Sequence, residues 1–242
     1  MTPLILIPTR MGATRLPGKP LADIGGKPMI VRAWEQAMLS GLPVAVAAGD
    51  PEIVAAVEAV GGRAVLTDPE LPSGSDRVLA ALETLDPGGE YDSVINLQGD
   101  MPLADPGIAI ACAALMRDEP SCDIATLVAP ELDASDRSNP DVVKAVLALA
   151  EDERHGRALY FTRSTLYGDA PVWRHIGVYG YRREALKRFC AAPPSPLERR
   201  EKLEQLRALE LGLSIWAAVI DEAPISVDNP ADLEAARALA AR

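Results

Sequence analysis

Residues 4–21 read LILIPTRMGATRLPGKPL, a short apolar run that passes directly into a loop of glycine, proline and basic residues. The run Leu4–Ile7 predicts a buried strand, because an unbroken series of aliphatic side chains suits a strand that is covered on both faces. In open parallel sheets, ligands bind beyond the carboxyl ends of the strands. The loop therefore stands where such a sheet would hold a ligand.

The chain alternates apolar runs of strand length with helical patterns as far as about residue 124. The apolar runs predict strands at Leu4–Ile7, Val44–Ala47, Ala64–Leu66 and Val94–Leu97. The helical patterns run from about Met29 to Ser40, Glu52 to Val60, Asp76 to Leu85 and Ile108 to Met116. Because right-handed crossovers place helices on both faces of a parallel sheet, the sequence predicts an α/β fold with a Rossmann-like, doubly wound, mostly parallel sheet.

The pattern changes after residue 124, where strand candidates follow one another with little helix between them. These candidates are Ile124–Val128, Val143–Leu149, Ala158–Phe161 and Ile176–Tyr181. Helices near Pro196–Leu211 and Pro230–Ala241 follow, with a strand at Ser214–Val219 between them. Because no Gly/Ser-rich linker divides the sequence, we predict one domain, residues 1–242. Within it we expect a strand-rich inserted subdomain, at about 124–190, that carries a second substrate or a dimer contact.

Composition and charge narrow the class of protein. The 242 residues carry a formal net charge of −11, and 48% of them are hydrophobic, enough for a sizeable core without metals or disulfides. A nucleic-acid binder needs a dominant basic surface, so this charge argues against one. No apolar stretch approaches the roughly 18 residues of a membrane span, and the cysteines, which form no CxxC pair, suit a reducing compartment. We expect a soluble, cytoplasmic protein with no nucleic-acid or membrane partner.

A cluster of positive charge lies in the loop after the first strand, at Arg10, Arg15 and Lys19, and no acidic residue precedes Asp23. The glycines of the loop let its backbone approach a ligand closely. A triphosphate placed here would meet backbone N–H groups and these cations. The spacing of the glycines and the proline after Lys19 exclude a Walker A loop. An exposed basic loop without a ligand is the alternative.

Two aspartates are candidates for binding a metal near the phosphates. The strand Val94–Leu97 runs into Gln98–Gly99–Asp100, which puts a carboxylate at the carboxyl end of a central strand. Magnesium takes few protein carboxylates and completes its shell with phosphate oxygens and water. Asp228, in ISVDNPADL, lies far away along the chain and stands directly before a helix, so a role at the start of that helix is the alternative.

Other polar segments have ordinary structural explanations when each is taken alone. In SGSDR, Ser73 to Arg77, a serine can cap the helix that follows, although a polar first turn can also bind a base edge or a phosphate. Arg163 can be a surface charge, and His175 on a strand can be a hydrogen-bonded structural residue. The serine and proline before Leu197 suit an ordinary helix start.

Together these segments resemble one known family, the 3-deoxy-manno-octulosonate cytidylyltransferases or CMP-Kdo synthetases. The motifs that carry the resemblance are, in order, PTRMGATRLPGKPL, SGSDR, QGD, YFTR, HIGVYGYR, SPLERREKLEQLR and VDNPADL. They extend from about Leu4 to Leu233, and their order and combination make the resemblance specific. It implies the fold of the nucleotide-diphospho-sugar transferases, a homodimer, and transfer of CMP from CTP to the acidic sugar 3-deoxy-manno-octulosonate (Kdo) with Mg²⁺.

The resemblance also implies three groups of site residues. The catalytic group places cations on the CTP phosphates and carboxylates on Mg²⁺; it consists of Arg10, Arg15, Lys19, Asp100 and Asp228. Further contacts with the nucleotide are implied for Ser73, Arg77 and Gln98. The implied contacts with Kdo mix charge and hydrogen-bonding groups, which suits a carboxylate and several hydroxyls. They are Arg163, His175, Tyr179, Glu204 and Gln205.

The chain departs from the family pattern at two positions. Ala13 stands where relatives commonly carry Ser, and Met101 stands where they commonly carry an acidic residue after QGD. Cytidylyltransferases for another acidic sugar, an 8-amino analogue of Kdo or a sialic acid, are alternatives, and the RLPGKPL run disfavours the sialic-acid enzymes. A catalytically silent nucleotide-binding protein of the same fold is a further alternative, which the presence of Lys19 and both aspartates disfavours.

Overall fold

The computed structural model describes residues 2–12, 16–151 and 153–241. Packing divides the chain into two compact units. The first unit contains Met1–Ile110 and Pro224–Arg242, and the second unit contains Ala111–Ala223. The first unit is therefore assembled from two segments that are distant along the chain. The subdomain predicted at about residues 124–190 falls within the second unit, and its role stays a prediction.

A parallel sheet forms the centre of the first unit. The strands of this unit are β1 (Pro3–Thr9), β2 (Asp23–Ile24), β3 (Lys27–Pro28), β4 (Val44–Ala48), β5 (Ala64–Leu66) and β6 (Ser93–Asn96). The sheet order is β5-β4-β1-β6 with all neighbours parallel, while β2 and β3 form a small antiparallel hairpin. The side chains of Leu4–Ile7 are at most 1% exposed, as expected for a strand covered on both faces.

Helices follow the strands of this sheet, as the alternating pattern predicts. The α-helices of the described residues are α1 (Met29–Met38), α2 (Pro51–Glu58), α3 (Gly74–Leu85), α4 (Gly107–Asp118), α5 (Arg183–Ala191), α6 (Pro196–Glu201), α7 (Gln205–Glu210) and α8 (Pro230–Ala240). In α1 the buried residues Met29, Ile30, Ala33 and Ala37 recur at helical spacing and form the apolar face. Within the described part of the chain, no helix has the length and apolar character needed to cross a membrane.

A small apolar core ties the second segment of the first unit to its first segment. Its buried members are Ile24 from β2, Met29 from α1, Val227, and Leu233 and Ala236 from α8. None of these side chains is more than 7% exposed. This packing anchors α8 and the residues directly before it to the hairpin β2–β3.

The second unit contains a mixed sheet. Its strands are β7 (Ile124–Pro130), β8 (Lys144–Leu149), β9 (His155–Thr162), β10 (Trp173–Arg182) and β11 (Ile215–Val219). β7 pairs with β10 in antiparallel and with β11 in parallel. β9 pairs in antiparallel with both β11 and β8. The α/β fold class is thus confirmed, and the strand-rich middle of the chain has the antiparallel character that its sequence pattern suggests.

The structure corrects one prediction in the second unit and adds a helix that the sequence analysis did not contain. The single helix predicted at Pro196–Leu211 is wrong, because α6 ends at Glu201 and the next residue, Lys202, adopts the left-handed conformation (φ 56°) before α7 begins. The helix α5 was not predicted at all. It buries the apolar residues Ala185, Leu186 and Phe189 on one face, among basic neighbours. This helical spacing of apolar residues is short, so it is a weaker signal than the apolar alternation of the strand before it.

Candidate active site

A cavity of about 440 Å³ opens in the first unit at the carboxyl ends of β1 and β6. It brings together polar residues from segments that are distant along the chain. Its lining consists of Pro8, Thr9, Arg10, Gly12, Leu16, Lys19, Pro20, Met29, Leu71, Pro72, Ser73, Gly74, Arg77, Gln98, Gly99, Asp100 and Asp228. Every catalytic and nucleotide-binding residue predicted from the sequence is among them, except Arg15, which lies outside the described residues.

The centre of the cavity is a charge cluster of Lys19, Asp100 and Asp228. Lys19 Nζ donates a hydrogen bond to Asp100 Oδ2 at 2.9 Å and another to Asp228 Oδ1 at 3.4 Å. The side chain of Lys19 is 14% exposed, that of Asp100 25% and that of Asp228 42%. Two carboxylates that are separated by 128 positions in the sequence therefore share one ammonium group.

Local backbone geometry places Lys19 in this cluster. Gly18 has a positive φ of 70°, a conformation that favours glycine, and it precedes a short 3₁₀ helix at Lys19–Leu21. Within this turn, the backbone N–H of Lys19 donates to the carbonyl of Leu16 at 3.1 Å, and that of Leu21 donates to the carbonyl of Gly18 at 3.0 Å. The turn thus fixes the point from which the lysine side chain reaches the aspartates.

Asp100 follows β6 through Gln98 and Gly99. A Cβ atom on Gly99 would lie 3.3 Å from both the carbonyl oxygen of Pro8 and the Cβ of Thr9, so glycine permits the close approach of this turn to the end of β1. The backbone N–H of Val227 donates to the carbonyl of Asp100 at 2.9 Å. This bond joins the two aspartate-bearing segments directly.

Asp228 is held from the other side by the start of α8. The N-cap of that helix is Asn229, whose side chain accepts from the backbone N–H groups of Ala231 and Asp232. Asp232 Oδ2 in turn accepts from the backbone N–H of Asp228 at 2.8 Å. The alternative role of Asp228 as the cap is therefore wrong, and its carboxylate points instead to Lys19.

Arg10 and Arg77 meet at one wall of the cavity. The carbonyl of Pro69 accepts from Arg10 Nη1 at 3.4 Å and from Arg77 Nη2 at 3.3 Å. Arg77 is buried and also donates to Thr67 Oγ1 at 2.5 Å and to the carbonyl of Asp68 at 3.0 Å. Burial and the nearby charge of Arg10 lower the pKa of the Arg77 guanidinium. Several N–H donors of Arg77 are thus hydrogen-bonded to the loop 67–69, while Arg10 stays exposed.

Ser73 and Gln98 also engage in local bonds. Ser73 is the N-cap of α3, where its Oγ accepts from the backbone N–H of Asp76 at 3.2 Å and donates to the Asp76 carboxylate at 2.6 Å. Gln98 Nε2 donates to Asn96 Oδ1 at 3.2 Å. The capping role that the sequence suggests for Ser73 is confirmed, although both residues line the cavity as well.

The donor set of the cavity fits a magnesium ion that is bound together with phosphates. Among the described residues, no group of three or more His, Cys, Asp or Glu side chains is placed to hold a metal by itself. Asp100 and Asp228 supply two carboxylates within reach of the same cation, the ammonium of Lys19. Mg²⁺ is usually bound by one or two carboxylates, with substrate phosphates and water completing the octahedron.

The residues predicted to contact the sugar all lie in the second unit. His175 Nε2 is 3.0 Å from Thr126 Oγ1, and its ring packs edge-on to Phe161 and tilted against Tyr179. Burial lowers the pKa of His175 to about 3 and raises the pKa of Tyr179 well above its ordinary value; the charges of Tyr181 and Glu204 act on Tyr179 in the same direction. His175 is therefore a neutral group near pH 7.

Arg163 and Gln205 each leave a buried donor without a hydrogen-bond partner among the described residues, at Arg163 Nε and Gln205 Nε2. Arg163 Nη1 donates to the carbonyl of Pro140 at 3.0 Å, and Glu201 Oε2 accepts from the backbone N–H of Arg163 at 3.2 Å. Buried donors that lack a partner are costly in a protein interior, so each is available to a ligand.

Sequence reasoning missed two residues that support this part of the second unit. The Lys144 side chain is fully buried, and its Nζ donates to the carbonyls of Asn139 and Arg163, both at 2.8 Å. A lysine within the apolar run Val143–Leu149 was the signal that could have found it. Glu201, which also accepts from Thr162 Oγ1 at 3.2 Å, stands among other charged residues in RREKLE and carries no comparable signal.

Comparison with known proteins defines the class. A family model described as cytidylyltransferase matches residues 4–215, from β1 into β11. The fold is shared more widely, since a solved 4-diphosphocytidyl-2C-methyl-D-erythritol synthase from Anaerococcus prevotii superposes with a TM-score of 0.67 at 11% identity, covering 100% of this chain and 99% of that chain.

Relatives with higher identity narrow the class to one family. A protein named 3-deoxy-manno-octulosonate cytidylyltransferase from Parvibaculum lavamentivorans is 58% identical over 99% of this chain and 93% of that protein. A protein of the same name from Rhodospirillum rubrum is 54% identical over 98% of this chain and 95% of that protein. A solved CMP:2-keto-3-deoxy-manno-octonic acid synthetase in complex with CTP superposes with a TM-score of 0.91 at 38% identity, covering 100% of this chain and 99% of that chain. The chain belongs to the 3-deoxy-manno-octulosonate cytidylyltransferase family.

Proposed function

We propose that this protein transfers CMP from CTP to the anomeric hydroxyl of Kdo, for the synthesis of lipopolysaccharide. The anomeric oxygen forms a bond to the α-phosphorus of CTP, the bond from that phosphorus to the bridging oxygen breaks, and pyrophosphate leaves with that oxygen. The products are CMP-Kdo and pyrophosphate, and the proton of the hydroxyl is released. The names of the relatives at 54–58% identity and of the solved structure at 38% identity support this choice of nucleotide and sugar.

The observation that carries the proposal is the convergence of Lys19, Asp100 and Asp228 in one cavity with Arg10 at its wall. A polyphosphate in this cavity would meet the ammonium of Lys19 and the exposed guanidinium of Arg10. Fixed cations next to the leaving pyrophosphate stabilise the negative charge that develops there without costly reorganisation. Arg15, which is outside the described residues, has the same predicted role.

Asp100 and Asp228 are the residues that would hold Mg²⁺. When bound, the ion would neutralise phosphate charge and orient the triphosphate. The remaining contribution of the chain is alignment: the bond from Val227 N–H to the Asp100 carbonyl fixes the spacing of the two carboxylate segments.

The second unit would supply the contacts with Kdo. Arg163 Nε and Gln205 Nε2 are buried donors that can satisfy the carboxylate and hydroxyl oxygens of the sugar. His175 is neutral near pH 7 because its pKa is about 3, so it would act as a hydrogen-bonding group and not as a charge. Tyr179 and Glu204 complete the proposed set. The homodimer and the cytoplasmic location that the sequence suggests stay predictions.

The test is pyrophosphate release from CTP and Mg²⁺ with a panel of acidic sugars: Kdo, its 8-amino analogue and a sialic acid. We expect release with Kdo.

We also expect Asp100→Asn to lower turnover by roughly a hundredfold or more, because a carboxylate that binds the metal is lost. The melting temperature should change little, since Asp100 is partly exposed. Asp118→Asn is the matched control, because this exposed carboxylate forms a local ion pair with its neighbour Arg117.

The outcomes separate the parts of the proposal. Release with the 8-amino analogue or a sialic acid but not with Kdo contradicts the proposed sugar. Absence of release with every sugar in the panel supports the silent nucleotide-binding protein. Near-normal turnover by Asp100→Asn contradicts the metal assignment and leaves the transferase activity standing.

A further inference from the structure

The ammonium of Lys19 occupies the space between the two carboxylates that the proposed function assigns to Mg²⁺. Nζ lies 2.9 Å from Asp100 Oδ2 and 3.4 Å from Asp228 Oδ1. The lysine side chain is 14% exposed, so little water screens these contacts on its side. A positive charge belonging to the chain thus offsets part of the negative charge of the proposed metal-binding pair.

The backbone around the cluster is held on every side. Lys19 is fixed by its 3₁₀ turn, Asp100 by the backbone bond from Val227, and Asp228 by the bond from its N–H to Asp232. The lysine side chain, in contrast, has four flexible carbons and a rotatable ammonium group. The movable part of the cluster is therefore the Lys19 side chain, and the aspartates form its fixed part.

We propose that Lys19 competes with the divalent cation for Asp100 and Asp228, and so lowers the affinity of the nucleotide-free protein for the metal. This inference rests on the proposed metal site. The phosphates of a nucleotide in the cavity offer the ammonium another anionic partner, and the carboxylates are then released to the metal. Nucleotide and metal bind with positive coupling as a result, and this coupling acts equally in both directions.

The test measures binding of Mn²⁺ to the nucleotide-free protein by electron paramagnetic resonance, with Lys19→Met as the variant. Removing the ammonium takes one positive charge away from two neighbouring carboxylates, which favours binding of a divalent ion. We expect Lys19→Met to bind Mn²⁺ roughly tenfold more tightly than the unmodified protein, because the variant loses two partly exposed ion pairs, to Asp100 and to Asp228. Lys27→Met is the matched control, because Lys27 pairs with Glu35 at 2.7 Å on the exposed surface; its affinity should equal that of the unmodified protein.

A second variant locates the effect. In Lys19→Met combined with Asp100→Asn the gain should disappear, because one of the two carboxylates is gone. If Lys19→Met fails to fold by circular dichroism, Lys19→Gln replaces it, with the thermal shift produced by Mg²⁺ alone as the readout. Unchanged Mn²⁺ affinity in the folded variant overturns the inference, and so does a gain that persists without Asp100.

Failure here is distinguishable from failure of the proposed function, because the binding measurement needs neither CTP nor sugar. An unmodified protein that forms CMP-Kdo, together with a Lys19 variant that gains no Mn²⁺ affinity, contradicts only the competition. An unmodified protein that releases no pyrophosphate, together with a variant that gains affinity at Asp100, contradicts only the reaction.

Discussion

The candidate active site is formed by a few single residues. Its Lys19 cluster, with Asp100 and Asp228, shows which features of the site the sequence can and cannot predict. The type of each side chain and its place at the end of a predicted strand indicated phosphate and metal chemistry at Lys19 and Asp100. For Asp228 the residues alone favoured the start of a helix, and only the family resemblance indicated a ligand. The contact between Lys19 and both carboxylates was not predictable, because it depends on tertiary packing of segments far apart in the chain.

At the residue scale, His175 makes stability depend on pH. Its pKa is about 3 in the folded protein and returns to its ordinary value of 6.5 on unfolding. As pH falls below 6.5, His175 becomes protonated in the unfolded chain but stays neutral in the folded chain. The free energy of unfolding therefore decreases until the pH approaches the pKa of the folded protein. Between about pH 7 and pH 5.5 we expect a loss of about 1 kcal/mol from this residue.

Urea unfolding at these two pH values checks the expectation. The unmodified protein should lose about 1 kcal/mol more than His175→Gln, which has no imidazole to protonate. The second histidine, His155, is present in both proteins, so its contribution cancels in the comparison. Equal losses in the two proteins would contradict the lowered pKa.

At the scale of elements, the strands of the first unit were predictable because an unbroken aliphatic run has few other stable environments. Leu4–Ile7 is the clearest case. The break between α6 and α7 was not predictable, since SPLERREKLEQLR has the composition of a continuous helix and nothing in it marks Lys202 as a left-handed residue. The capping box of Ser195 and Glu198 marks the start of α6 clearly, but it says nothing of where the helix ends.

The same break yields a stability prediction. A non-glycine residue in the left-handed region carries a conformational cost, and glycine is the usual residue at this position of a helix end. Lys202 is exposed, so its side chain contributes little packing. We expect Lys202→Gly to raise the free energy of unfolding by about 0.5–1 kcal/mol. Thermal or urea unfolding measures the change.

The control for this change is Lys187→Gly, within the regular part of α5. Glycine in a helix interior costs about 1 kcal/mol, so this variant should be less stable than the unmodified protein. The two substitutions remove the same side chain and introduce the same residue, yet their effects should have opposite signs. Destabilisation by both would contradict the left-handed conformation of Lys202.

At the scale of the whole molecule, the cysteines report on opening of the second unit, which contains all three. Cys112 and Cys122 are buried, whereas Cys190 is partly exposed. Burial raises the pKa of the Cys122 thiol to about 12 and raises that of Cys112 still further above its ordinary value. Since the thiolate is the reactive form, both buried thiols should be inert until the unit opens.

A thiol-specific chromogenic reagent tests this expectation. One thiol should react quickly in the native protein, and the two others should react at least about a hundredfold more slowly, at the rate of opening. Cys190→Ser should remove the fast phase, and Cys112→Ser should remove part of the slow phase. A fast phase that survives in Cys190→Ser would contradict this picture of the second unit.

The discontinuous first unit also has a consequence for biosynthesis. A ribosome delivers Lys19 and Asp100 early, but it must complete the entire second unit before it adds Asp228 and the helix that anchors it. A nascent or prematurely terminated polypeptide therefore possesses half of the carboxylate pair, however well its early strands have formed. Under the proposed role of Asp228 as a metal ligand, chemical competence is conferred last, and abortive translation products would not compete with the finished protein as catalysts.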